Sequence, residues 1–374
     1  MTTYCFLQPL DVLYLRGNKL FDDPGSFGES LVPPWPSVAA GALRSRILAD
    51  DRVDPGDFAA GRVPHPTLGT PHRPGSFRVT DFHLARCEAG GRIEGLFALP
   101  ADLVLTQADL GPLTVERLKP HSAAAGIQSS APLAKLPLLA EPARRKTVSG
   151  FWLTQRGWAR YLAGETPAAD DVEPIANLWK LDTRIGVGLD AERRRADDGK
   201  LFTGQAVALT PDLGFLVGVR GAEPSTSGTV RLGGDGRAAA IQGVEYAPPA
   251  PDVDALLRAR RCRIVLTTPG LFAAGWRLPG SQPDGHWQLG EVSGRLVCAA
   301  VPRAEVVSGW DLARWQPKTA QRAVPAGSVY WIEDLHATTP DALRKLAEMG
   351  LWSDPPENPH RRAEGFNRFT FAVY

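Results

Sequence analysis

Cysteine is scarce in this chain: four residues in 374, at Cys5, Cys87, Cys262 and Cys298. They form no C-x-x-C pair, which excludes a dense disulfide framework or a zinc knuckle and favours free thiols in a reducing compartment. No stretch approaches the roughly 18 uninterrupted apolar residues of a membrane span. Met1–Leu15 has no basic lead, and Gln8, Pro9 and Asp11 break its apolar run, so it does not read as a signal peptide. The expected location is therefore cytoplasmic, with no membrane partner. Net charge is nearly absent as well, and +1 overall excludes a global polycation.

Assembled catalytic chemistry is also missing. There is no G-x-S-x-G elbow and no Walker A loop. Gly186 and Gly188 lack the third glycine of a dinucleotide fingerprint. His65 and His72 stand seven apart in Pro-rich loop with no third metal ligand nearby, and His83 falls mid-strand. Asp190, Asp197 and Asp198 sit beside arginines, where ion pairing explains them better than a two-metal site. The expectation is a protein without metal or cofactor, and not an enzyme.

What the chain has in quantity is glycine (38) and proline (33), hence many turns and long connections. Its 43% apolar and 22% charged content is that of a globular protein, with length enough for two domains. Arginine outnumbers lysine and clusters at Arg144–Lys146, Arg193–Arg195, Arg258–Arg263 and Arg361–Arg362. Its planar fork suits phosphate contact and stacking on bases, although an arginine-rich solvated surface accounts for any single cluster equally well.

Tyr4–Arg16 reads as an opening strand and Gly17–Gly28 as a turn-rich loop. Val38–Ala49 reads as a helix with Ser37 as N-cap and Ala39, Leu43 and Ile47 as its apolar stripe. Residues 50–80 look like loop. Phe77–Leu84 and Gly95–Leu105 alternate as strands, and residues 111–200 form the least regular stretch, with a short helix near Trp158–Leu162. Strands follow at Leu201–Leu209, Gly214–Val219, Thr229–Leu232 and Ala238–Val244. A Pro-rich junction at Ala247–Pro251 is the best boundary. Beyond it come strands at Arg263–Thr268, Arg295–Val307 and Ser328–Ile332, then a helix over Pro340–Met349 capped by Thr339 and stopped by Gly350, then a strand at Arg368–Tyr374. The mixture lacks strict βαβ alternation and implies two α+β domains of ferredoxin-like type.

Three constellations could meet a polyanion. Ser37, Arg44 and Arg46 mark a proline-framed helix start. In Thr183–Phe202, Arg184, Gly186 and Gly188 would let backbone approach a ligand beside Arg193, Arg194 and Arg195, although a flexible charged loop fits the same residues. Glycine turns flanked by arginine occur at Gly233, Gly234, Gly236 and Arg237, and again at Gly365, Asn367 and Arg368. Lys318 and Arg322 complete the set. The ten tryptophans offer further stacking surfaces, most of them expected in the core.

Taken in order, Leu10–Arg16 with Asn18–Phe21, Pro33–Ser45, Arg184–Arg193 continuing to Gly199–Phe202, Leu232–Arg237, Ser308–Leu312, Pro325–Tyr330 and Glu364–Asn367 closely resemble the Cmr-type (type III-B) CRISPR subunit-three proteins of the RAMP superfamily. The Gly365–Asn367 loop is thinner in glycine than many RAMP loops. The resemblance implies an α+β fold of two fused ferredoxin-like (RRM-like) RAMP domains with long loop insertions. One covers residues 1–250 with an insertion at 111–200, and the other covers 251–374. It further implies a non-catalytic subunit at the foot of an antiviral effector complex. There it would hold the 5′ repeat tag of the guide RNA (crRNA) beside the large polymerase/cyclase-like subunit and a backbone subunit, meeting target RNA only indirectly. The alternative is a RAMP-type metal-independent endoribonuclease that processes guide RNA, for which His65, His72 and His121 are the loose imidazoles near basic loops.

Overall fold

The computed structural model describes residues 1–17, 27–107, 111–122, 132–139, 146–190, 192–311, 313–337 and 339–374, the side chains of 27, 198 and 199 excepted. Asn18–Phe21, most of the Gly17–Gly28 loop, Arg144, Arg145, Leu312 and parts of the 111–200 stretch lie outside the described residues. Helices and largely antiparallel sheets divide into two compact units. One gathers Met1–Ile93, Ala176–Glu245 and Val306–Gln321, and the other Glu94–Ile175, Tyr246–Glu305 and Arg322–Tyr374. Membership thus interleaves along the chain, whereas the sequence suggested one boundary near Ala247–Pro251. Among the described residues no helix is long and apolar enough to cross a membrane.

In the first unit the strand Thr3–Pro9, with Cys5, Phe6 and Leu7 buried, runs antiparallel between Leu213–Arg220 and Ala238–Val244. Arg78–Cys87 pairs outside Leu213–Arg220, and the short Thr229–Arg231 pairs outside Ala238–Val244. The opening strand is shorter than expected. It ends at Pro9, which has no N–H for the ladder, and Leu13 and Arg16 rejoin β structure only as isolated bridges to Val207 and Ser30. The helix Pro36–Asp50 links the first strand to Arg78–Cys87 and buries Ala39, Leu43 and Ile47, the stripe read from their four-residue spacing. Ser37 is not its cap. Pro36 takes the first helical position, where a missing N–H costs nothing, and Trp35 at the N-cap makes no side-chain cap bond.

The Thr183–Phe202 stretch, expected to be irregular, is the distal part of a long hairpin, Trp179–Asp190 paired with Arg195–Leu209. Its base is tied to the unit by Leu13, which exchanges both backbone hydrogen bonds with Val207 at 2.8–2.9 Å.

In the second unit Arg261–Leu266 lies between Val329–Ala337 and Phe369–Ala372, with Val292–Ala300 and then His286–Leu289 continuing beyond Val329–Ala337. All neighbours are antiparallel. Period-two alternation sends Cys262, Ile264 and Leu266 to one face, where they pack with Leu256, Leu343 and Leu346 from the helices Val253–Ala259 and Pro340–Met349. Val265, Trp331 and Val297 face the other way, into a second core with Phe97, Leu105, Trp158 and Tyr161. The 94–175 segment therefore belongs with the C-terminal sheet because it covers that sheet's second apolar face. It is also more regular than its composition suggested, with strands at Ile93–Ala98, Leu103–Gln107, Leu113–Arg117 and Phe151–Thr154 and a helix at Gln155–Leu162. The expected strand Gly95–Leu105 is broken by the Leu99–Asp102 turn. Thr339, Pro340 and Gly350 cap, start and stop the second-unit helix as expected, the Thr339 hydroxyl accepting from the Ala342 N–H at 3.2 Å.

A charged pair is sealed under this second face. Arg263 and Asp102, each fully buried, join at 2.8 Å, and the Tyr161 hydroxyl donates to the other Asp102 oxygen at 2.7 Å. The remaining Arg263 donors reach the carbonyls of Tyr161 and Val373, and the guanidinium lies 4.0 Å from the Tyr161 ring centroid.

Candidate nucleic-acid interface

Two of the segments singled out by sequence meet in the first unit, and the residue that joins them is Tyr14. Its carbonyl accepts from the Gly234 N–H at 2.8 Å, fixing the glycine turn against the chain that follows the first strand. Its ring lies 5.3 Å from the Arg237 guanidinium, and Arg184 on the long hairpin lies close enough to its hydroxyl to interact with it electrostatically. Arg16 adds a further cation, 3.7 Å from Asp235. Gly233, Asp235 and Gly236 all have positive φ. At Gly233 a Cβ would stand 2.7 Å from the Tyr14 carbonyl, so glycine is required there, whereas Gly236 faces open space.

The guanidiniums are held in place by carboxylates: Arg237 by Asp11 at 2.7 Å and Arg184 by Asp182 at 2.8 Å. The carboxylates of both pairs are open to solvent, Arg184 is exposed and Arg237 is half-buried, so water weakens these contacts and a competing phosphate can draw the cation away. Tyr14 lies within the Leu10–Arg16 run but was not itself singled out. An aromatic side chain at the end of a strand carries no sign in sequence of what will stack on it.

The hairpin continues roughly 20 Å from Arg184 to Asp190 at about 3.4 Å per residue. At its tip Asp190 accepts from the N–H groups of Glu192 and Arg193, both at 3.0 Å, and Arg194 turns left-handed at φ 51°. Arg193, Arg194 and Arg195 are all exposed, and among the described residues their single ion pair is a loose one of 3.8 Å from Arg193 to Asp190. The glycines along the strand do not act as the sequence suggested. A Cβ on Gly186 would stand 2.4 Å from Phe202, and one on Gly188 would stand 2.8 Å from Lys200. Both glycines make room for cross-strand side chains, so their Cα faces are covered and closed to a ligand's backbone.

The helix-start residues divide differently. Ser37 is half-buried at the second helical position. Arg44 lies 5.2 Å from the Phe77 ring centroid. Arg46 binds both oxygens of Asp50 at 2.8–2.9 Å, the Thr229 carbonyl at 3.0 Å and Ser225 at 3.2 Å, fastening the helix to the edge strand. Lys318 follows a small hairpin, its N–H bonded to the Gly309 carbonyl.

In the second unit Arg322 is exposed. The last glycine turn is built into the fold instead. Asn367 is buried, donating to the Leu351 carbonyl and accepting from the Leu271 N–H, so both ends of its amide are engaged within the fold. Arg368 caps the helix Pro340–Met349 by donating to the carbonyls of Ala347 and Glu348. Gly365, at φ 92°, gives its carbonyl to Thr268. Both glycine turns nevertheless directly precede a strand that pairs with a central strand of their sheet: Ala238–Val244 beside Thr3–Pro9 in one and Phe369–Ala372 beside Arg261–Leu266 in the other.

Of the three imidazoles near basic loops, His65 is buried and held through both nitrogens, Nε2 to Asp51 at 2.8 Å and Nδ1 accepting from Leu68 at 3.2 Å. His72 and His121 are exposed. Among the described residues no three His, Cys, Asp or Glu side chains gather as a metal site.

A model of the family described as CRISPR-associated protein (Cas_Cmr3) matches residues 5–371. No curated protein matches the sequence. Among solved structures, a chain of the type III-B Cmr-beta complex bound to cognate target RNA and AMPPnP is 15% identical, with 88% of this chain and 86% of that chain covered and a TM-score of 0.48. A chain of the same complex bound to cognate target RNA is 13% identical, with the same coverage and a TM-score of 0.47. One from its apo state is 10% identical over 66% of this chain and 98% of that chain, with a TM-score of 0.27.

Proposed function

We propose, from the premise that this chain belongs to the Cas_Cmr3 family of CRISPR-associated proteins and so is a type III-B effector subunit, that it is a non-catalytic holder of the guide RNA's 5′ repeat tag. In this reading it stands at the foot of the complex beside the large polymerase/cyclase-like subunit and a backbone subunit, and meets target RNA only through the guide. The observation that carries the reading is the convergence of Arg184, Arg237 and the Gly233–Gly236 turn on Tyr14, with three exposed arginines further along the same hairpin. Aromatic surface, open glycine backbone and cations in sequence are what a single strand requires.

Both units are, in the same reading, ferredoxin-like modules. Supporting this, strand order repeats between them. Numbering Thr3–Pro9, Arg78–Cys87, Leu213–Arg220 and Ala238–Val244 in chain order gives 4-1-3-2 across the sheet, and Arg261–Leu266, Val292–Ala300, Val329–Ala337 and Phe369–Ala372 give the same. Each keeps one crossover helix, Pro36–Asp50 in the first and Pro340–Met349 in the second.

The test is salt-dependent RNA binding. Replacing Arg193, Arg194 and Arg195 by alanine is expected to lower the slope of log K against log salt by about 0.7 for each phosphate that the protein ceases to neutralise. An unchanged slope and affinity would remove the hairpin tip from the interface. The endoribonuclease alternative requires a general base and acid about the scissile phosphate, and the occupied nitrogens of His65 speak against its taking part. Metal-free incubation with repeat RNA checks this, and cleavage that disappears on replacing His72 or His121 would overturn the non-catalytic reading.

A further inference from the structure

A second, smaller hairpin in the first unit repeats the tip of the long one. Trp310–Asp311 pairs with Gln316–Pro317. Asp311 Oδ1 accepts from the N–H groups two and three residues on, Ala313 at 3.0 Å and Arg314 at 3.2 Å, as Asp190 does for Glu192 and Arg193. In each turn the fourth residue after the aspartate is left-handed with φ 51°, Arg194 in one and Trp315 in the other, and the return strand starts at the next residue.

A bulky side chain in that backbone region is unfavourable, and glycine or asparagine would be the easy choice. Packing does not offset the strain, because Trp315 is 74% exposed and Trp310 49%. Among the described residues they are the only large aromatics left exposed; the other tryptophans are buried or half-buried. Their rings meet edge to face, centroids 6.0 Å apart and planes at 85°. That arrangement leaves ring faces bare. Two cations and one carboxylate sit on or beside this turn: Arg314 forms no ion pair among the described residues, Lys318 follows the return strand, and Asp311 Oδ1 is turned inward to the N–H groups of Ala313 and Arg314. Bare indole faces beside an unpaired guanidinium suit a base and its phosphate.

We propose that the Trp310–Trp315 turn is a stacking finger for an unpaired base of the guide RNA, with Trp315 supplying the ring face and Arg314 the phosphate contact. The proposal rests on the guide-binding reading above but invokes none of its residues.

The full-length protein is titrated with a fluorescein-labelled single-stranded oligoadenylate. Trp315→Ala is expected to weaken binding about five- to 150-fold, the range of one stacked base, and Trp315→Tyr to restore most of it. Trp315→Gly relieves the backbone, so it is expected to lose binding like the alanine variant while its melting temperature holds or rises. This outcome separates lost stacking from lost fold. Unchanged affinity in the Trp315→Ala and Trp310→Ala variants would overturn the finger. The guide-binding reading would still stand if the Arg193–Arg195 variant remains weak, whereas wild-type protein that ignores RNA would defeat that reading itself. In the reconstituted complex, a 2-aminopurine signal from the guide that disappears in Trp315→Ala supports the proposal. A signal confined to the target strand, or loss of docking to partner subunits with RNA affinity intact, refutes it.

Discussion

Replacing Asp102 by asparagine would test whether the second unit depends on its sealed ion pair. Asparagine keeps the shape, and its carbonyl can still accept from the Tyr161 hydroxyl, but the anion bonded to a guanidinium of zero exposure is gone. Arg263 would retain the carbonyls of Val373 and Tyr161 and the ring 4.0 Å away, which solvate its charge without neutralising it. Arg117, 5.9 Å from the same ring, adds a like charge. Burial and then Arg263 already push its pKa below the ordinary arginine value. Breaking a buried pair from one side costs about 3–5 kcal/mol, and the surviving carbonyl bonds favour the lower half of that range. At about 2–4 °C per kcal/mol for a body of 150–250 residues, the melting transition of this unit is expected to fall by roughly 6–16 °C. The assay is thermal and urea unfolding of wild type, Asp102→Asn, Arg263→Met, and Asp102→Leu combined with Arg263→Met. The apolar double variant is expected to regain most of the loss, since a well-packed hydrophobic pair replaces such charges at little cost. Single-variant losses below about 1 kcal/mol, or losses that simply add in the double variant, would refute the reasoning.

Three further outcomes follow from other parts of the molecule. Burial pushes the His83 imidazole down from 6.5 to about 4, with Asp81 opposing. The unfolded chain then takes up a proton near pH 6.5 that the folded chain refuses until about 4. Stability is therefore undiminished above pH 6.5 and declines as pH falls toward 4, by up to about 3 kcal/mol. Urea midpoints measured across that window should flatten in His83→Gln, and parallel curves would discount the histidine. Thr339→Ala should cost about 1 kcal/mol by removing a true N-cap, whereas Ser37→Ala should cost little because Ser37 caps nothing; equal losses in denaturant titrations would contradict this assignment. Gly186→Ala should force the Phe202 ring aside at about 1–3 kcal/mol, seen as faster amide exchange across the long hairpin, and unchanged exchange would mean that the ring yields freely.

What could be read from sequence depended on how local the cause was. The helix Pro340–Met349 was legible to the residue because its cap, first proline and terminal glycine are contiguous. The stripe Ala39, Leu43 and Ile47 was legible by spacing, yet the cap beside it was misassigned because Pro36 pulls the helix start back by two residues. The long hairpin was hidden by its glycines, aspartates and arginines, although Leu181, Ile185, Val187 and Leu189 carry a period of two and remain exposed along one face. That alternation was the available signal. No comparable signal marks Tyr14 as a junction, or pairs Asp102 with Arg263, 161 positions apart. Such partners are chosen by tertiary packing, and the affiliation of 94–175 with the C-terminal sheet was invisible for the same reason.

The unpaired cysteines give this fold a reporter that needs no engineering. Cys5 lies in the opening strand Thr3–Pro9 of one unit and Cys262 in the central strand Arg261–Leu266 of the other, both shielded, with the Cys5 thiol pushed up to about 12 by burial and that of Cys262 raised as well. A thiol so rarely ionised resists alkylating agents until its strand is released. Cys87, half-exposed, would react first and calibrate the reagent. Pulsed alkylation followed by peptide mass spectrometry would then time the opening of each unit separately, within one unmodified chain.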